Sequence, residues 1–395
     1  MKLSDASRHA PTGSWDGLVV MCAGTSWDGV WFPDKHIANR LTDYAPVLYV
    51  DPPMSLLTPL RNPHLKASLA GPRLRLVRPG LARLTPVTTP GISRPGLREL
   101  SRLSTRRALA RAVRSLGGSV RAVVSASLDD VFGVCGEDSK VLYGTDDFAA
   151  GGALMNISDS WLRHQEGKRL AEADAVVAIS PTLADRWRGL GHEVTMIANG
   201  CDADLYADTD SAPWPDDVSL PGPIAVFVGH LSERIDLRML EAVADTGESV
   251  LLVGPRQQTF ELGRVESLLA RPNVQWVGPK PFESLPSYLR VGSVGITPYA
   301  DTDFNRGSFP LKTLEYLAAG RAAVVSDLPA ARWLASDDVH IAADPRAFAD
   351  ATVAALRAPV DPAAVERRQA FARSHSWAER AREFATLLGL ADSTP

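Results

Sequence analysis

Residues 293–326 read SVGITPYADTDFNRGSFPLKTLEYLAAGRAAVVS. The segment opens and closes on short apolar runs, SVGIT and AAVVS, with a helical pattern between them. Strand, helix and strand in that order make a βαβ crossover, whose two strands run parallel. The intervening loop, YADTDFNRG, is polar and carries turn-forming residues. Pro310 suits a first helical turn, because its missing N–H costs nothing there, and Ser308 stands where an N-cap is expected. Lys312 falls in that first turn, where a cation works against the helix dipole. A helix selected for stability alone would carry Asp or Glu there, so the lysine points to an anionic ligand. Glu315 lies one turn later on the same face. A surface Lys–Glu pair is the plainer reading, but it leaves the polar loop before the helix and the apolar YLAAG behind it without a purpose.

The same alternation extends in both directions. Apolar runs followed by helical patterns occur at 18–21, 47–50, 74–77, 122–126, 140–143, 175–179 and 194–198. A second series lies at 224–228, 249–253, 274–277, 293–297, 322–326 and 339–342. Continuous rather than alternating runs suit parallel strands covered on both faces. Between the two series, residues 202–225 are rich in Asp, Pro and Ser, which marks a linker. With 395 residues, two domains are the natural division. The expectation is an α/β protein with two Rossmann-like doubly wound parallel sheets. The first domain takes 1–205, with 1–15 as a disordered leader. The second takes 206–370, and a last helical segment takes 371–395.

Hydrophobic content of 45% with 22% charged residues is that of a soluble globular chain. No run of eighteen apolar residues predicts a transmembrane helix, and the polar start MKLSDASRHAPTGSWDG lacks the apolar core of a secretory signal. Cys22, Cys135 and Cys201 are widely separated, which argues against a zinc site or a disulfide framework and for a cytoplasmic protein. The net charge of −4 conceals an asymmetry: residues 61–121 hold fourteen Lys and Arg against the single Glu99. Such a block seeks an anionic partner. Within it, PGLRELSRLSTRRALARAVRSL places Arg98, Arg102 and Arg106 on one stripe and Arg107, Arg111 and Arg114 on the next. Leu97, Leu100, Leu103 and Leu109 supply an apolar side, so residues 94–114 read as an interfacial helix facing anionic lipid. A solvated arginine-rich helix is the alternative. Nucleic acid is not expected, because no recognised module and few aromatics accompany the block.

In open α/β sheets ligands bind beyond the carboxyl ends of strands. After the run ending at Val228, Gly229 allows a tight turn and Arg234 adds charge, a phosphate-binding arrangement or an ordinary βα turn. After LVVMC come Gly24, Thr25, Trp27, Asp28 and Trp31. The two tryptophans serve either to stack on a sugar or to pack the loop on the helix near 35–42. After KVLY, Asp146 and Asp147 form a carboxylate pair fit for a general base, or for an N-cap.

These residues resemble a family. SFPLKTLEYLAAGRAAVVSD (308–327), ADAVVAISPTLADRW (173–187) and MIANGCDADLY (196–206) are similar to motifs of GT-B glycosyltransferases, family 4 and its exopolysaccharide and teichuronic-acid relatives in particular. The resemblance implies transfer of a sugar from a nucleoside-diphosphate sugar to an acceptor hydroxyl, in cell-envelope polysaccharide or glycolipid synthesis, by a hexosyltransferase without cofactor or metal. Glu315 would accept the ribose hydroxyls. The backbone near Ser308, Pro310 and Leu311, with Lys312, would hold the diphosphate, which Gly229 and Arg234 meet from the facing loop. Val277 and Gly278 would hold the base. Lys312 and Arg234 would steady the leaving group, and Asp146 or Asp147 would act as base if the reaction inverts. Gly24, Thr25, Trp27, Asp28 and Trp31 would bind an acceptor, lipid-linked at the inner face of the plasma membrane or a soluble small molecule. The last helix would cross back to the first domain. Two departures stand out. Gly307 occupies the place, eight residues before Glu315, where many members carry a sugar-binding glutamate, and GHLSERID lacks the usual Lys-Gly. A sugar-nucleotide epimerase and a non-catalytic nucleotide-sugar-binding protein are the other classes compatible with these motifs.

Overall fold

The computed structural model describes residues 14–29, 31–61, 65–89, 95–147, 149 and 158–391. The expected leader and Arg94 lie largely or wholly outside them. The chain forms two compact units. The first takes the described residues up to Ile179, then Leu183–Ala198, and then the described residues from Trp377 onward. The second takes Ser180–Thr182 and Asn199–Ser376. The C-terminal helix Trp377–Leu387 is thus part of the first unit, while the preceding helix Pro362–Ser374 stays in the second.

The strands of the first unit are β1 Leu18–Cys22, β2 Val47–Val50, β3 Met54–Ser55, β4 Leu74–Arg78, β5 Leu81–Leu84, β6 Val87–Thr88, β7 Val120–Ser125, β8 Ser139–Gly144, β9 Ala175–Ala178 and β10 Thr195–Met196. Eight of them form one sheet in the order β10-β9-β8-β7-β1-β2-β5-β4, and β3 pairs with β6 apart from it. The sheet is parallel except at its edge, where β4 pairs antiparallel with β5. That hairpin departs from the all-parallel expectation, which had no strand at 81–84. Arg83 interrupts the apolar run there, yet it is buried to 1% exposure by partners far away in sequence. Parallel strands such as β1 and β2 are buried along their whole length, which is why their sequences run continuously apolar.

The second unit holds β11 Ile224–Val228, β12 Ser249–Val253, β13 Val274–Trp276, β14 Val294–Thr297, β15 Ala322–Ser326 and β16 Val339–Ala342. They make a wholly parallel sheet in the order β13-β12-β11-β14-β15-β16. Helices Leu237–Asp245 and Pro345–Arg357 pack together on one face, closing a core with Phe227, Val250, Leu252, Val294, Ile296 and Val324. Each such side chain, fully buried, contributes about 1.5–3 kcal/mol. On the opposite face, the Tyr316 ring of helix Leu311–Ala318 lies directly on β14. A Cβ at Gly295 would sit 2.1 Å from that ring, so only glycine lets the helix seat this closely. The Tyr316 hydroxyl then accepts from the Val228 amide at 2.9 Å and donates to the Ile296 carbonyl at 3.2 Å.

The stretch read as a linker is folded structure in its first third. Ala203–Tyr206 is a helical turn, Thr209–Ser211 a 3-10 turn, and Tyr206 and Thr209 are buried in the second unit. The Asp- and Pro-rich composition hid two anchors that a linker does not have. Among the described residues no helix is long and apolar enough to cross a membrane.

Candidate functional site

In the second sheet the order of strands reverses between β11 and β14. The loops leaving these two strands diverge to opposite faces and open a crevice at their carboxyl ends. Every predicted ligand residue of this unit lies on the segments that follow β11, β13 and β14.

After β14, Thr302 caps a short helix, Asp303–Gly307, by accepting from the Asn305 amide. This turn changes the reading of the next one. Ser308 ends the short helix and its hydroxyl donates to the Phe304 carbonyl at 2.9 Å, so it does not cap the helix that follows. Pro310, with φ −79° and ψ 76°, occupies the cap position and the helix begins at Leu311, whose amide donates to the Phe309 carbonyl. A single polar loop had been expected where a helical turn intervenes and claims Ser308.

Glu315 is buried to 3% exposure. Lys312 Nζ reaches both carboxylate oxygens, at 3.1 and 2.8 Å, and the Tyr206 hydroxyl donates to Oε2 at 3.0 Å. The first-turn lysine is therefore paired, and its Lys–Glu contact is not a surface one. The Gly307 carbonyl, at the position of the missing glutamate, accepts from the buried Ser180 hydroxyl at 2.6 Å.

Arg234, on the loop after β11, is held more firmly than its sequence suggests. Its Nε donates to Asn305 Oδ1 at 3.0 Å, and its guanidinium lies 5.1 Å from the Tyr299 ring centre and 5.0 Å from that of Phe304. Asn305, 2% exposed, also donates to the Arg234 and Ala300 carbonyls. Among the described residues no acidic side chain forms an ion pair with Arg234, so its charge stays uncompensated. Aromatic stacking and one fixed nitrogen leave the outer nitrogens of the fork directed by packing alone. Sequence reading missed Asn305, Tyr299, Phe304 and Tyr206 as site residues. The only signal was their place, just past a strand end or beside a motif.

Gly229 lies against Gly254, the first residue past β12. A Cβ on Gly254 would stand 2.0 Å from the Gly229 carbonyl oxygen, and its φ of +138° excludes other residues as well. The Gly254 amide donates to the Gly278 carbonyl at 2.9 Å, and Val277 donates to Leu252. Gly229, Gly254, Val277 and Gly278 thus form one continuous edge of main chain. A separate cavity of about 930 Å³ opens beside Ile235, Tyr299, Asp327 and Asp344, but Arg234, Lys312 and Glu315 do not line it. Its arginines 238, 264, 306 and 332 are each paired with a neighbouring acid. The charges lining this cavity are thus compensated within the protein.

In the first unit the loop after β1 is tied by hydrogen bonds. Asp34 accepts from the Gly24 and Thr25 amides, at 2.8 and 3.2 Å, and from the Thr25 hydroxyl. Asp28 accepts from Ser68 and from Arg83 at 2.9 Å; burial opposes its charge, but these partners hold it below the usual range. Arg83 also binds Asp51, which accepts from the Trp27 amide. Lys35 lies 4.2 Å from the Trp31 ring and 5.0 Å from Trp27, and burial pulls its pKa down. Trp27 packs edge-on against Tyr49, while Trp31 keeps 39% of its surface exposed. The structure thus brings Gly24, Thr25, Trp27, Asp28 and Trp31 onto one braced loop.

Asp146 and Asp147 follow β8. Asp147 is buried and pairs with Arg186 at 3.0 Å, and Arg186 also makes a two-pronged bond to buried Glu166. Glu166 is therefore interior and not helix surface, whereas His164 is exposed. The basic helix spans Pro95–Leu116, with Leu109, Ala112, Val113 and Leu116 turned into the core. Arg102 and Arg106 converge on Asp130, and Arg98 stacks on Trp161 at 4.4 Å. The stripe expected to face lipid is thus occupied within the protein. Arg107, Arg111 and Arg114 are the exposed one, and no acidic side chain among the described residues pairs with them.

Residues 222–358 match the family of glycosyl transferases group 1. A putative teichuronic acid biosynthesis glycosyltransferase, TuaH of Bacillus subtilis (strain 168), is 28% identical over 229 residues, which cover 55% of this chain and 57% of that protein. Sucrose-phosphate synthase from Thermosynechococcus elongatus superposes with a TM-score of 0.69 at 17% identity, covering 94% of this chain and 97% of its own. HepE from Anabaena, solved with UDP and glucose, superposes with a TM-score of 0.63 at 13% identity over 95% and 99%. The fold is that of GT-B glycosyltransferases, two Rossmann-like units, as the motifs implied.

Proposed function

From a second unit that carries a glycosyl transferases group 1 domain, we infer that this chain moves a sugar from a nucleoside-diphosphate sugar to an acceptor hydroxyl. The observation that carries the reading is that a buried carboxylate, Glu315, and an uncompensated, stacked cation, Arg234, stand on the segments that follow the two strands of the strand-order reversal. Glu315 keeps a lone-pair site on Oε1 open to a ribose hydroxyl. Arg234 meets the diphosphate, with Lys312 alongside, and the main-chain edge from Gly229 to Gly278 receives the base and phosphates. Charge developing on the departing diphosphate is met by these two cations, so the reaction proceeds without a divalent ion. The test is a thermal-shift screen over UDP-, GDP-, ADP-, CMP- and dTDP-sugars, with and without EDTA. One nucleotide should raise the melting temperature, and Glu315→Gln should abolish the rise. A wild type that responds to none, or a shift that survives the substitution, overturns the assignment.

For the chemical step, Asp147 is committed to Arg186, and Asp146 is the less buried of the pair. A base role therefore falls to Asp146 if the transfer inverts. Retention needs no such base, so a kcat for Asp146→Asn close to wild type argues for retention.

We propose that the acceptor is lipid-linked and belongs to the assembly of an envelope polysaccharide, as the name of the Bacillus relative suggests. The support is a surface with two chemistries. Leu56, Leu57, Leu60 and Leu100 are all more than half exposed, and a groove of about 490 Å³ lies among Leu56, Leu57, Val87 and Leu100. Arg107, Arg111 and Arg114 continue along the helix that bears Leu100. Apolar side chains beside unpaired arginines fit an anionic bilayer. Flotation with phosphatidylglycerol vesicles should show binding that the triple Arg→Glu variant loses. Equal flotation of both proteins would sink this part of the reading.

A further inference from the structure

We propose that the Tyr206 hydroxyl is a positioning group that sets the Glu315 carboxylate to accept a ribose hydroxyl of the donor. The inference rests on the assignment of Glu315 to the ribose made above.

Tyr206 comes from the segment between the two strand series, more than a hundred residues before Glu315, and its side chain is 0% exposed. Both of its ends are fixed. Its carbonyl accepts from the buried Thr209 hydroxyl at 2.7 Å, and its ring meets Phe282 edge-on at 6.3 Å. The hydroxyl is thereby delivered to Glu315 Oε2 at 3.0 Å with no freedom to seek another acceptor.

A carboxylate has about four lone-pair sites in its plane. Lys312 faces both oxygens and Tyr206 takes a further site on Oε2. Lys312 is a compact charge on a flexible stem, and it tolerates rotation of the carboxylate beneath it. Tyr206 is rigid and neutral. It compensates no charge, but it fixes the carboxylate plane, and with it the direction of the lone-pair site that remains on Oε1. A ribose hydroxyl donating to Oε1 needs that one direction to be right. A phenyl ring at 206 would fill the same space and leave that plane unset.

The experiment pairs whichever of UDP, GDP, ADP and CDP binds the wild type with its 2′-deoxy counterpart, using calorimetry. The wild type should prefer the ribonucleotide by about tenfold or more. Tyr206→Phe should bring that preference down to about threefold or less, raise the donor KM, and leave kcat and inhibition by inorganic pyrophosphate unchanged. In a Glu315→Gln background, Tyr206→Phe should have no further effect on the preference, because the hydroxyl acts through the carboxylate. Melting temperature without nucleotide is read in parallel. If Tyr206→Phe proves unstable, Thr209→Val, which releases the tyrosine backbone, takes its place with the same expected loss. A wild type without ribose preference overturns the Glu315 assignment itself. A wild type that discriminates beside a Tyr206→Phe that discriminates equally overturns only the role of Tyr206.

Discussion

Asn305 grips Arg234 from both sides: its Oδ1 accepts from the side-chain Nε at 3.0 Å, and its Nδ2 donates to the backbone carbonyl of the same residue at 2.9 Å. One buried amide thus fixes both the loop and the charge that the loop presents. Asn305→Ala should lower kcat/KM by about a hundredfold, since misplacing a reactive group by about 1 Å is enough for that. Steady-state kinetics with the donor identified by the thermal-shift screen checks it. A loss below about threefold would show that Arg234 holds its place without Asn305.

Arg234→Lys keeps the charge but loses the planar fork, the bond to Asn305 and much of the contact with Tyr299 and Phe304. Donor affinity should fall at least about tenfold while the melting temperature moves little. Calorimetric titration with the nucleoside diphosphate distinguishes this from a purely coulombic role, in which lysine would suffice.

Arg186 neutralises two buried acids of the first unit, Asp147 and Glu166. Arg186→Met should strand both carboxylates and destabilise the protein by about 3–5 kcal/mol. Urea unfolding at neutral pH measures the loss.

Acid stability should report on the basic helix. Burial raises the Asp130 pKa, but the bond from Arg102 and the charges of Arg106 and Arg169 overrule it and hold the carboxyl below its ordinary 3.8. The unfolded chain binds a proton at 3.8 and the native one only at lower pH. This contribution is therefore complete above pH 3.8 and disappears as the pH falls through the native value. Asp130→Asn should lower the melting temperature at neutral pH and flatten its decline on acidification.

The parallel strands were legible because burial on both faces writes an unbroken apolar run, as in LVVMC and AVVSA. The helix at Leu311–Ala318 was legible for its proline and its pairing of Lys312 with Glu315. What escaped reading is of one kind. Arg83 was legible only as one charge of the basic block at 61–121, because its partners Asp28 and Asp51 lie more than thirty residues away. Arg102 and Arg106 looked free to meet lipid, because Asp130 is reached only through the fold. Tyr206 passed for linker, and Asn305 for an ordinary loop residue. Local periodicity reports which face is buried; it carries no record of which distant polar group compensates a charge.

Ser180 sets a limit on how this protein can be divided. Its hydroxyl closes the Gly307 carbonyl in the second unit, yet the residues just before and after Ser180–Thr182 belong to the first. The first unit in turn is completed by residues beyond 376. Neither unit is a continuous piece of chain, so no single cut releases a whole donor half. A fragment of residues 199–376 would arrive without the group that satisfies Gly307. Chimeras that join one parent's first half to another's second would inherit mismatched insertions at 180–182 and at the C-terminal helix. A clean exchange of one unit must then carry its detached segments with it, 180–182 for the second and the C-terminal helix for the first.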